Sequence, residues 1–274
     1  CVPGSERSPQ GEVRAAVRLM DPYYSDDSVT IYHGEALSIL TGLDAGSVDA
    51  VVTDPPYSSG GMFRSDRVAS PTEKYRGWSQ NADGSSRPPT ATYSTFSGDN
   101  RDQRSFMVWV GAWSAACLVA TKPGGHLFQF TDWRQLPATT DAAQLGGWTW
   151  RGIVVWDKGV GRPMKGKFRN HLEYVVWATL GPTEATDVYP SALIRVPTVS
   201  VGERQHLTQK PTQLLRALLS VVPGENLMVL DPFMGSGTTL RAAKDLGHRC
   251  IGIELDESNC EIAAERMAQE VLAL

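Results

Sequence analysis

A carboxylate, two prolines and an aromatic ring follow a short apolar run early in the chain. The run ends at Thr53 and continues as Asp54-Pro55-Pro56-Tyr57. Each proline fixes its own φ and restricts the residue before it, so the Asp54 carboxylate and the Pro55 carbonyl are expected to be held rigidly. Two fixed acceptors could bind both N–H groups of an exocyclic base amine and localise its lone pair, while Tyr57 offers a ring for stacking. The alternative is a strand-ending turn with a surface tyrosine.

A glycine-rich loop follows a second apolar run at 227–230. The loop reads Asp231-Pro232-Phe233-Met234-Gly235-Ser236-Gly237-Thr238-Thr239. Glycines let the backbone approach a ligand where the next helix begins, which favours a nucleotide-like ligand. The loop lacks the Gly-Lys-Ser/Thr of a phosphate-binding loop, and Leu240 occupies the last position of the dinucleotide pattern. A cofactor without a pyrophosphate is therefore expected.

The next apolar run, 250–254, ends in Glu254. A carboxylate at such a strand end could accept hydrogen bonds from both hydroxyl groups of a ribose. The alternative role, an acid that begins a helix, suits Asp256 or Glu257 better. Together with the glycine loop, Glu254 predicts an adenosine site.

Apolar runs rich in Val and Ile alternate with helical patterns along the chain. Strands are predicted at 29–33, 48–53, 126–131, 152–156, 174–179, 227–230 and 250–254. Helices are predicted at 36–43, 105–121, 211–222, 238–246 and 257–273. This alternation predicts an α/β fold with a doubly wound, mostly parallel sheet, whose ligands bind at the carboxyl ends of the strands.

The composition excludes several classes of protein. With 274 residues, 41% hydrophobic and 20% charged, the chain has the make-up of a globular protein rather than a disordered or fibrous one. No run approaches the roughly 20 apolar residues of a membrane helix, and no secretory leader is visible, so we expect a cytoplasmic protein without a membrane partner. The four cysteines lack metal-ligand spacing, so no metal site is expected.

The net charge of -4 conceals a segregation of charge. Residues 157–171 contain five basic side chains and one acid, whereas residues 251–274 contain six acids and one arginine. The basic stretch could contact phosphate. Its candidate nucleic-acid ligands are Arg162, Lys165, Lys167 and Arg169.

The order of the motifs resembles that of the beta-group amino-methyltransferases, the circularly permuted N4-cytosine/N6-adenine DNA methylases of bacteria and phages. In that group the Asp-Pro-Pro-Tyr segment precedes a Phe-x-Gly-x-Gly segment, as Asp54 to Tyr57 precedes Phe233 to Gly237 here. The resemblance covers residues 29–267. It implies a Rossmann-like fold with the circularly permuted S-adenosylmethionine-dependent methyltransferase topology, S-adenosylmethionine as cofactor, double-stranded DNA as partner, and action in the cytoplasm of a bacterium or a phage host.

Weaker segments follow in the family's order: Trp156 to Gly159, His171 to Glu173, and His206 to Pro211. The resemblance implies that Thr208, Gln209 and Lys210 lie near the methionine moiety of the cofactor, with Lys210 on its carboxylate. Glu35 stands where the family usually has an aspartate that binds the adenine amine; it could equally be the first acid of a helix. The expected cofactor site comprises Glu35, Ala36, Asp54, Thr208, Gln209, Lys210, Asp231, Phe233, Gly235, Ser236, Gly237, Thr238, Glu254 and Leu255.

Asp at the first motif position is commoner among adenine-N6 enzymes of the family than among cytosine-N4 enzymes, which usually have Ser. The resemblance therefore favours site-specific methylation of adenine N6 on a flipped-out base, with Asp54, Pro55, Pro56 and Tyr57 as catalytic residues. Three alternatives stay open: a cytosine-N4 enzyme, a nicotinamide-dependent oxidoreductase that leaves the Asp54 loop unexplained, and a catalytically silent DNA-binding relative. A cytosine-C5 enzyme and a zinc deaminase are excluded, because the chain lacks a Pro-Cys loop and the zinc-ligand motifs.

The chain is expected to form one methyltransferase domain, 28–274, after a flexible arm at 1–27. Loop insertions are predicted at 58–101 and 159–170, and a minimal recognition region at 182–205, too short for a separate domain. A homodimer would compensate for so small a recognition region. A cognate restriction enzyme would be a further partner.

Overall fold

The computed structural model describes residues 21–57, 79–80, 86–87, 101–159, 161, 165–166, 168–198 and 210–269. Its strands, numbered along the chain, are β1 Tyr24–Ser25, β2 Val29–His33, β3 Val48–Thr53, β4 Ser79–Gln80, β5 Ser86–Arg87, β6 Thr121–Thr131, β7 Thr149–Asp157, β8 Leu172–Thr179, β9 Leu193–Arg195, β10 Met228–Asp231 and β11 Arg249–Glu254. Its helices are α1 Ala36–Leu40, α2 Gln103–Ala120, α3 Leu136–Leu145, α4 Thr212–Leu219, α5 Thr238–Asp245 and α6 Glu257–Ala268.

Nine of the strands form one sheet in the order β1-β2-β11-β10-β3-β6-β8-β7-β9. From β2 to β6 every neighbouring pair is parallel. Strand β8 runs against both β6 and β7, and β1 runs against β2 at one edge. The sheet is therefore mostly parallel, which confirms the predicted fold class.

Helices cover both faces of the sheet, and this explains why its central strands read as unbroken apolar runs. In β3, Ala50 and Val52 pack with α4, α5 and α6, whereas Val48 and Val51 pack with α1, α2 and α3. All four side chains are completely buried. None of the helices in the described part of the chain combines the length and the apolar character that a bilayer crossing demands.

Three parts of the fold differ from the sequence prediction. Within the predicted arm at 1–27, Tyr24–Ser25 pairs with β2 and Asp26 forms an ion pair with Lys244 at 2.7 Å, so these residues belong to the fold; residues 1–20 lie outside the described ranges. The predicted insertion at 58–101 contains the paired strands β4 and β5. Apart from these strands and Arg101, its residues lie outside the described ranges. Helix α3 was not predicted, because its Pro137 and paired threonines weaken the helical pattern; burial of Ala138, Ala142 and Ala143 stabilises it.

The described parts of the other two predicted loops behave differently from each other. Residues 159, 161, 165–166 and 168–170 contain neither helix nor strand. The predicted recognition region, 182–205, contributes Leu193–Arg195, which extends the sheet by pairing in parallel with β7. Residues 199–205 lie outside the described part of the chain.

Candidate active site

The polar motifs come together at one edge of the sheet, because the carboxyl ends of parallel strands share that edge. Strands β11, β10, β3 and β6 are consecutive neighbours in the sheet. They end in Glu254, Asp231, Thr53 and Thr131, so the glycine loop, the Asp54 loop and Asp132 follow side by side. The antiparallel strand β8 begins at the same edge and brings Glu173 to it.

Asp54 is engaged through both of its carboxylate oxygens. The Tyr57 hydroxyl donates to Oδ1, and Lys210 Nζ lies 2.5 Å from Oδ2. Burial raises the pKa of Tyr57 well above its usual value, and the charge of Asp54 raises it further. Tyr57 therefore stays protonated, and its hydroxyl donates a hydrogen bond to the carboxylate.

Lys210 connects Asp54 to two further charged residues. Its Nζ lies 3.3 Å from Glu173 Oε2, and Glu173 Oε1 accepts a hydrogen bond from Lys158 Nζ at 3.2 Å. Only 8% of the Lys210 side chain is exposed. The resemblance implies that Lys210 lies near the cofactor's carboxylate, and this stays a prediction; within the protein, its charged neighbours are the carboxylates of Asp54 and Glu173.

Charge and burial act differently on the ions Asp54, Glu173 and Lys210. Burial raises the pKa of Asp54, against the opposing charge of Lys210. Burial also works to raise the pKa of Glu173, but the charges of Lys210 and Lys158 outweigh it, so this pKa is lowered. Burial works to lower the pKa of Lys210, but Asp54 and Glu173 outweigh it, so this pKa is raised. Lys210 and Glu173 are thus firmly ionised.

The Asp54 strand is tied directly to the glycine loop. Thr53 Oγ1 donates to Asp231 Oδ1 at 2.8 Å, and the Phe233 amide donates to the same oxygen at 3.1 Å. Burial raises the pKa of Asp231 to about 7, although hydrogen bonds from Thr239, Thr53 and Phe233 oppose the rise. The position of one loop therefore depends on the other.

The glycine loop has the geometry of a ligand cradle. Gly235 and Gly237 have φ values of +51° and +77°, in the left-handed region that favours glycine. Glu254 Oε2 accepts a hydrogen bond from the Gly235 amide at 3.0 Å, and Oε1 accepts one from the Asp256 amide at 2.9 Å. Burial raises the pKa of Glu254. Its carboxylate is held by backbone amides and retains lone pairs for hydroxyl donors.

Two contacts behind the loop set its shape. A Cβ on Gly252 of β11 would overlap Met234 Sδ and come within 2.7 Å of Leu240 Cδ2, so any other residue there would force these two side chains to shift. On the other side, the buried Arg266 donates to the Ser236 carbonyl at 2.7 Å. The loop is therefore fixed from the strand and from α6.

An aromatic cluster packs against Phe233. The rings of Trp109 and Trp113, both on α2, have centroids 5.2 Å from that of Phe233. The guanidinium of Arg101 lies 4.2 Å from the centroid of the Trp109 ring. The end of the 58–101 insertion therefore touches the wall of the predicted cofactor site.

The remaining predicted cofactor residues have mixed settings. Glu35 caps α1, with Oε2 accepting from the Ser38 amide at 2.8 Å, which is the helix-starting role considered as its alternative. Ala36 and Ser236 are buried, as is Thr238, while Leu255 is exposed. Thr208 and Gln209 lie outside the described residues.

The predicted nucleic-acid ligands are only partly described. Lys165 and Arg169 are exposed between β7 and β8, whereas Arg162 and Lys167 lie outside the described ranges. Phe168, beside Arg169, is fully exposed, and Trp133 after β6 is 51% exposed. The strand ends at this edge thus carry both cations and exposed aromatic rings.

Sequence reasoning assigned no role to Glu173, Trp109 or Arg266. A signal existed for Glu173, which stands alone among the apolar residues of β8. Arg266 gave a weaker signal as the one base among the acids of 251–274. Trp109 is one of several aromatic residues on α2, and nothing in the local pattern distinguishes it.

Comparison with known proteins identifies the family. The sequence profile of the DNA methylase family, N6_N4_Mtase, matches residues 48–201 and 183–265. The chain is 25% identical to the type II methyltransferase M2.LlaDCHI of Lactococcus lactis subsp. cremoris over 92% of this chain and 93% of that protein. It is also 25% identical to the type II methyltransferase M2.DpnII of Streptococcus pneumoniae, over 93% and 95%.

Solved structures share the fold at lower identity. The crystal structure of the M1.HpyAVI–SAM complex has a TM-score of 0.61 and 22% identity, and covers 88% of this chain and 100% of its own. The cytosine-N4-specific PvuII DNA methyltransferase has a TM-score of 0.65 and 16% identity, over 92% and 90%. The profile match spans both the Asp54 loop and the glycine loop, and the chain therefore belongs to the N6/N4 DNA methylase family, as an S-adenosylmethionine-dependent methyltransferase of DNA.

Proposed function

We propose that the chain methylates the N6 amine of an adenine that has been turned out of duplex DNA. The observation that carries the proposal is the Asp54 carboxylate, held by Tyr57 and Lys210 on the strand next to the glycine loop. A base amine bound at Asp54 would lie beside the cofactor loop. Direct transfer between the two sites would then require no metal and no covalent enzyme intermediate.

The residues of the glycine loop fit the proposed cofactor, S-adenosylmethionine, which supplies a methyl group on a positively charged sulfur. Left-handed glycines allow close backbone approach, and the Glu254 carboxylate suits the two ribose hydroxyls. The absence of a basic phosphate-binding residue in the loop suits a ligand that has no phosphate. The described residues proposed to bind it are Glu35, Ala36, Asp54, Lys210, Asp231, Phe233, Gly235, Ser236, Gly237, Thr238, Glu254 and Leu255; Thr208 and Gln209 are proposed on the family resemblance.

The catalytic work of the protein is to localise the lone pair of the amine. Asp54 and the carbonyl of Pro55 accept its two N–H groups, and Pro56 restricts the backbone that presents them. Tyr57 stays protonated, donates to Asp54 and offers its ring to the base. The proton released after transfer passes to water.

Adenine is preferred to cytosine because an aspartate occupies the first position of the Asp-Pro-Pro-Tyr motif. The fold itself does not discriminate, since the cytosine-N4-specific PvuII enzyme shares it. Methylation of cytosine N4 is therefore the second outcome that an experiment must separate.

The DNA is proposed to lie across the carboxyl edge of the sheet. Lys165 and Arg169 would contact phosphate there, with Arg162 and Lys167 proposed from the sequence alone. Exposed aromatic side chains such as Phe168 are the type that stacks on unpaired bases. Recognition is assigned to the loops 58–101 and 159–170 and to residues 182–205 of a single domain.

Two finer partners accompany this proposal. A homodimer would double the small recognition surface, and a cognate restriction enzyme would match the type II relatives named above. The cytoplasm of a bacterial cell, which holds the DNA, is the proposed site of action.

The test is incubation of the protein with methyl-labelled S-adenosylmethionine and unmethylated genomic DNA, followed by digestion to nucleosides and mass spectrometry. We expect the label in N6-methyldeoxyadenosine. Label in N4-methylcytosine would correct the base and keep the mechanism. DNA without label, from protein that binds the cofactor, would overturn the function.

A further inference from the structure

Four alternating charges form a cluster at the active-site edge, which we name the ionic cluster: Asp54, Lys210, Glu173 and Lys158. Successive members lie 2.5 Å, 3.3 Å and 3.2 Å apart. They come from four separate segments: Asp54 directly follows β3, Lys210 lies two residues before α4, Glu173 is in β8, and Lys158 directly follows β7. A chain of this kind fixes the position of each member through its neighbours.

Lys210 is the least solvated member of the cluster. Its side chain is 8% exposed, and its Nζ has three oxygen neighbours, on Asp54, Glu173 and Tyr57. The rings of Phe130 and Trp156 lie 5.1 Å and 5.9 Å from the same nitrogen. A buried ammonium depends on such partners to keep its charge. Lys210 is thus bound as a fixed cation and not as a mobile surface lysine.

Glu173 has more cationic neighbours than Asp54. Two lysines contact Glu173, whereas Asp54 shares one of those lysines and accepts from a neutral tyrosine. Two more carboxylates face this region, Asp132 beyond Tyr57 and Asp231 across Thr53. Asp54 therefore lies among carboxylates, and Lys210 is the cation that offsets them.

We propose that Glu173, anchored by Lys158, is a positioning residue that fixes Lys210 beside Asp54 and thereby keeps the catalytic carboxylate ionised and oriented toward the target amine. The inference rests on the proposed function, in which Asp54 must accept an N–H group. A protonated Asp54 would present a donor to the amine instead of an acceptor. Without Lys210, Asp54 and Glu173 would be two neighbouring anions, each largely shielded from water, and one of them would take up a proton.

The decisive experiment is a double-mutant cycle of Lys210→Met and Glu173→Gln, with kcat for DNA methylation measured across pH. In the wild-type background, Glu173→Gln is expected to lower kcat by about tenfold to a hundredfold, because a misplaced lysine misplaces Asp54. In the Lys210→Met background the same change is expected to raise kcat and to move the acid limb to lower pH, because it removes the like charge. This reversal of sign is not expected of a residue with a merely structural role.

The matched control is Lys122→Met, which removes a lysine from Asp49 on the same strand β3, far from the cluster. It should leave kcat and its pH profile unchanged. Lys158→Gln is expected to act like Glu173→Gln but more weakly, since it removes only the anchor. Where Lys210→Met does not fold, Lys210→Gln replaces it and keeps a polar side chain beside Asp54.

A second measurement separates this inference from the proposed function. In the cofactor-free protein, NMR of carboxyl-labelled aspartate follows the ionisation of Asp54, assigned by its loss in Asp54→Asn. Lys210→Met should raise the pKa of Asp54, and added Glu173→Gln should lower it again. The proposal is overturned if Lys210→Met leaves the pKa of Asp54 unchanged. It is also overturned if Glu173→Gln changes kcat equally in the wild-type and Lys210→Met backgrounds. An inactive wild-type enzyme with these NMR shifts would overturn the function alone.

Discussion

Strand β3 carries an aspartate near each end, and each aspartate pairs with a lysine from a distant part of the chain. Asp49 lies 2.7 Å from Lys122, whose side chain is 45% exposed, and Asp54 lies 2.5 Å from Lys210, whose side chain is 8% exposed. The two pairs are chemically alike but differ in solvation. Water screens the first pair, whereas the second acts on its neighbours through a medium of low dielectric constant.

The difference separates a structural end of the sheet from a functional one. Asp49 Oδ2 accepts the Met228 amide at 2.7 Å, so it joins the amino end of β10 to β3. Among the described residues, Asp54 makes its side-chain hydrogen bonds to the tyrosine and the buried lysine and not to a neighbouring strand. Burying a charged group without a strand-pairing role costs stability, which indicates that the carboxyl end is built for chemistry.

The largest effect is expected from Asp54→Asn. It removes the anionic acceptor and directs an amide N–H group toward the target amine or Lys210, so kcat for DNA methylation should fall by about 10²–10⁴-fold. Asp49→Asn at the other end of β3 should leave kcat within a factor of about three, since only stability is affected. Measurement of methyl transfer to DNA by both variants, with their cofactor binding matched, checks this prediction. Equal losses in both variants would contradict the division into two ends.

The next largest effects are expected from replacing two glycines by alanine, one near each end of the sheet, which tests how each end tolerates a methyl group. A Cβ on Gly252 would meet the buried side chains of Met234 and Leu240, whereas one on Gly125 would meet the backbone oxygens of Asp49 and Lys122 at 2.9 Å. Both alanine variants should lose about 1–3 kcal/mol of unfolding free energy. Only Gly252→Ala should also weaken cofactor binding, because Met234 belongs to the glycine loop. Denaturant unfolding and cofactor titration measure the two effects.

A smaller effect is expected on DNA affinity. Replacing both Lys165 and Arg169 by alanine should raise Kd for DNA about tenfold and reduce the salt dependence of binding by about one counterion for each lost phosphate contact. The exposed Arg249, at the amino end of β11, provides the control. Arg249→Ala should leave the salt dependence unchanged. A similar loss from Arg249→Ala would move the DNA to another face.

The pH dependence of stability gives a still smaller signal, centred on Asp231. Its pKa in the folded protein is about 7, against an ordinary value of 3.8, so the native state binds more protons than the unfolded state between these limits. The unfolding free energy should therefore be greatest below this window and fall as the pH rises through it. Asp231→Asn, which keeps an acceptor for Thr53, should show a shallower fall. Denaturant unfolding at pH 5 and pH 8 measures the slope, and equal slopes would contradict the buried ionisation.

The sequence predicts the sheet better than the interactions across it. All seven predicted strands occur, because both faces of the sheet bury continuous apolar runs. The edge strands Tyr24–Ser25 and Leu193–Arg195 carry no such run and were missed. Helix α3 was missed because tertiary burial of three alanines, and not helix propensity, stabilises it.

The motifs at the strand ends were found for a similar reason: an aspartate, a glycine loop or a glutamate that ends an apolar run is visible locally. The partnership of Lys210 with Asp54 spans 156 positions, and its contact with Glu173 depends on β8 being inserted between β6 and β7. No local pattern contains that strand order. The ionic cluster therefore emerges only from the three-dimensional arrangement, although each of its members stands in one of the sequence motifs.

The smallest effect is expected from Lys122→Met, and it completes the comparison of the two lysines. The Lys122–Asp49 pair is largely solvated on its lysine side, and exposed pairs contribute about 0–1 kcal/mol, so the unfolding free energy should fall by no more than this. Raising the salt concentration should reduce the difference from wild type further, since screening already weakens an exposed pair. Lys210→Met should respond to salt far less, because the ammonium that it removes is buried, with 8% of its side chain exposed. A salt-independent loss of stability in Lys122→Met would show that the amino-end pair is effectively buried, and solvation would then no longer explain why only one end of β3 is reactive.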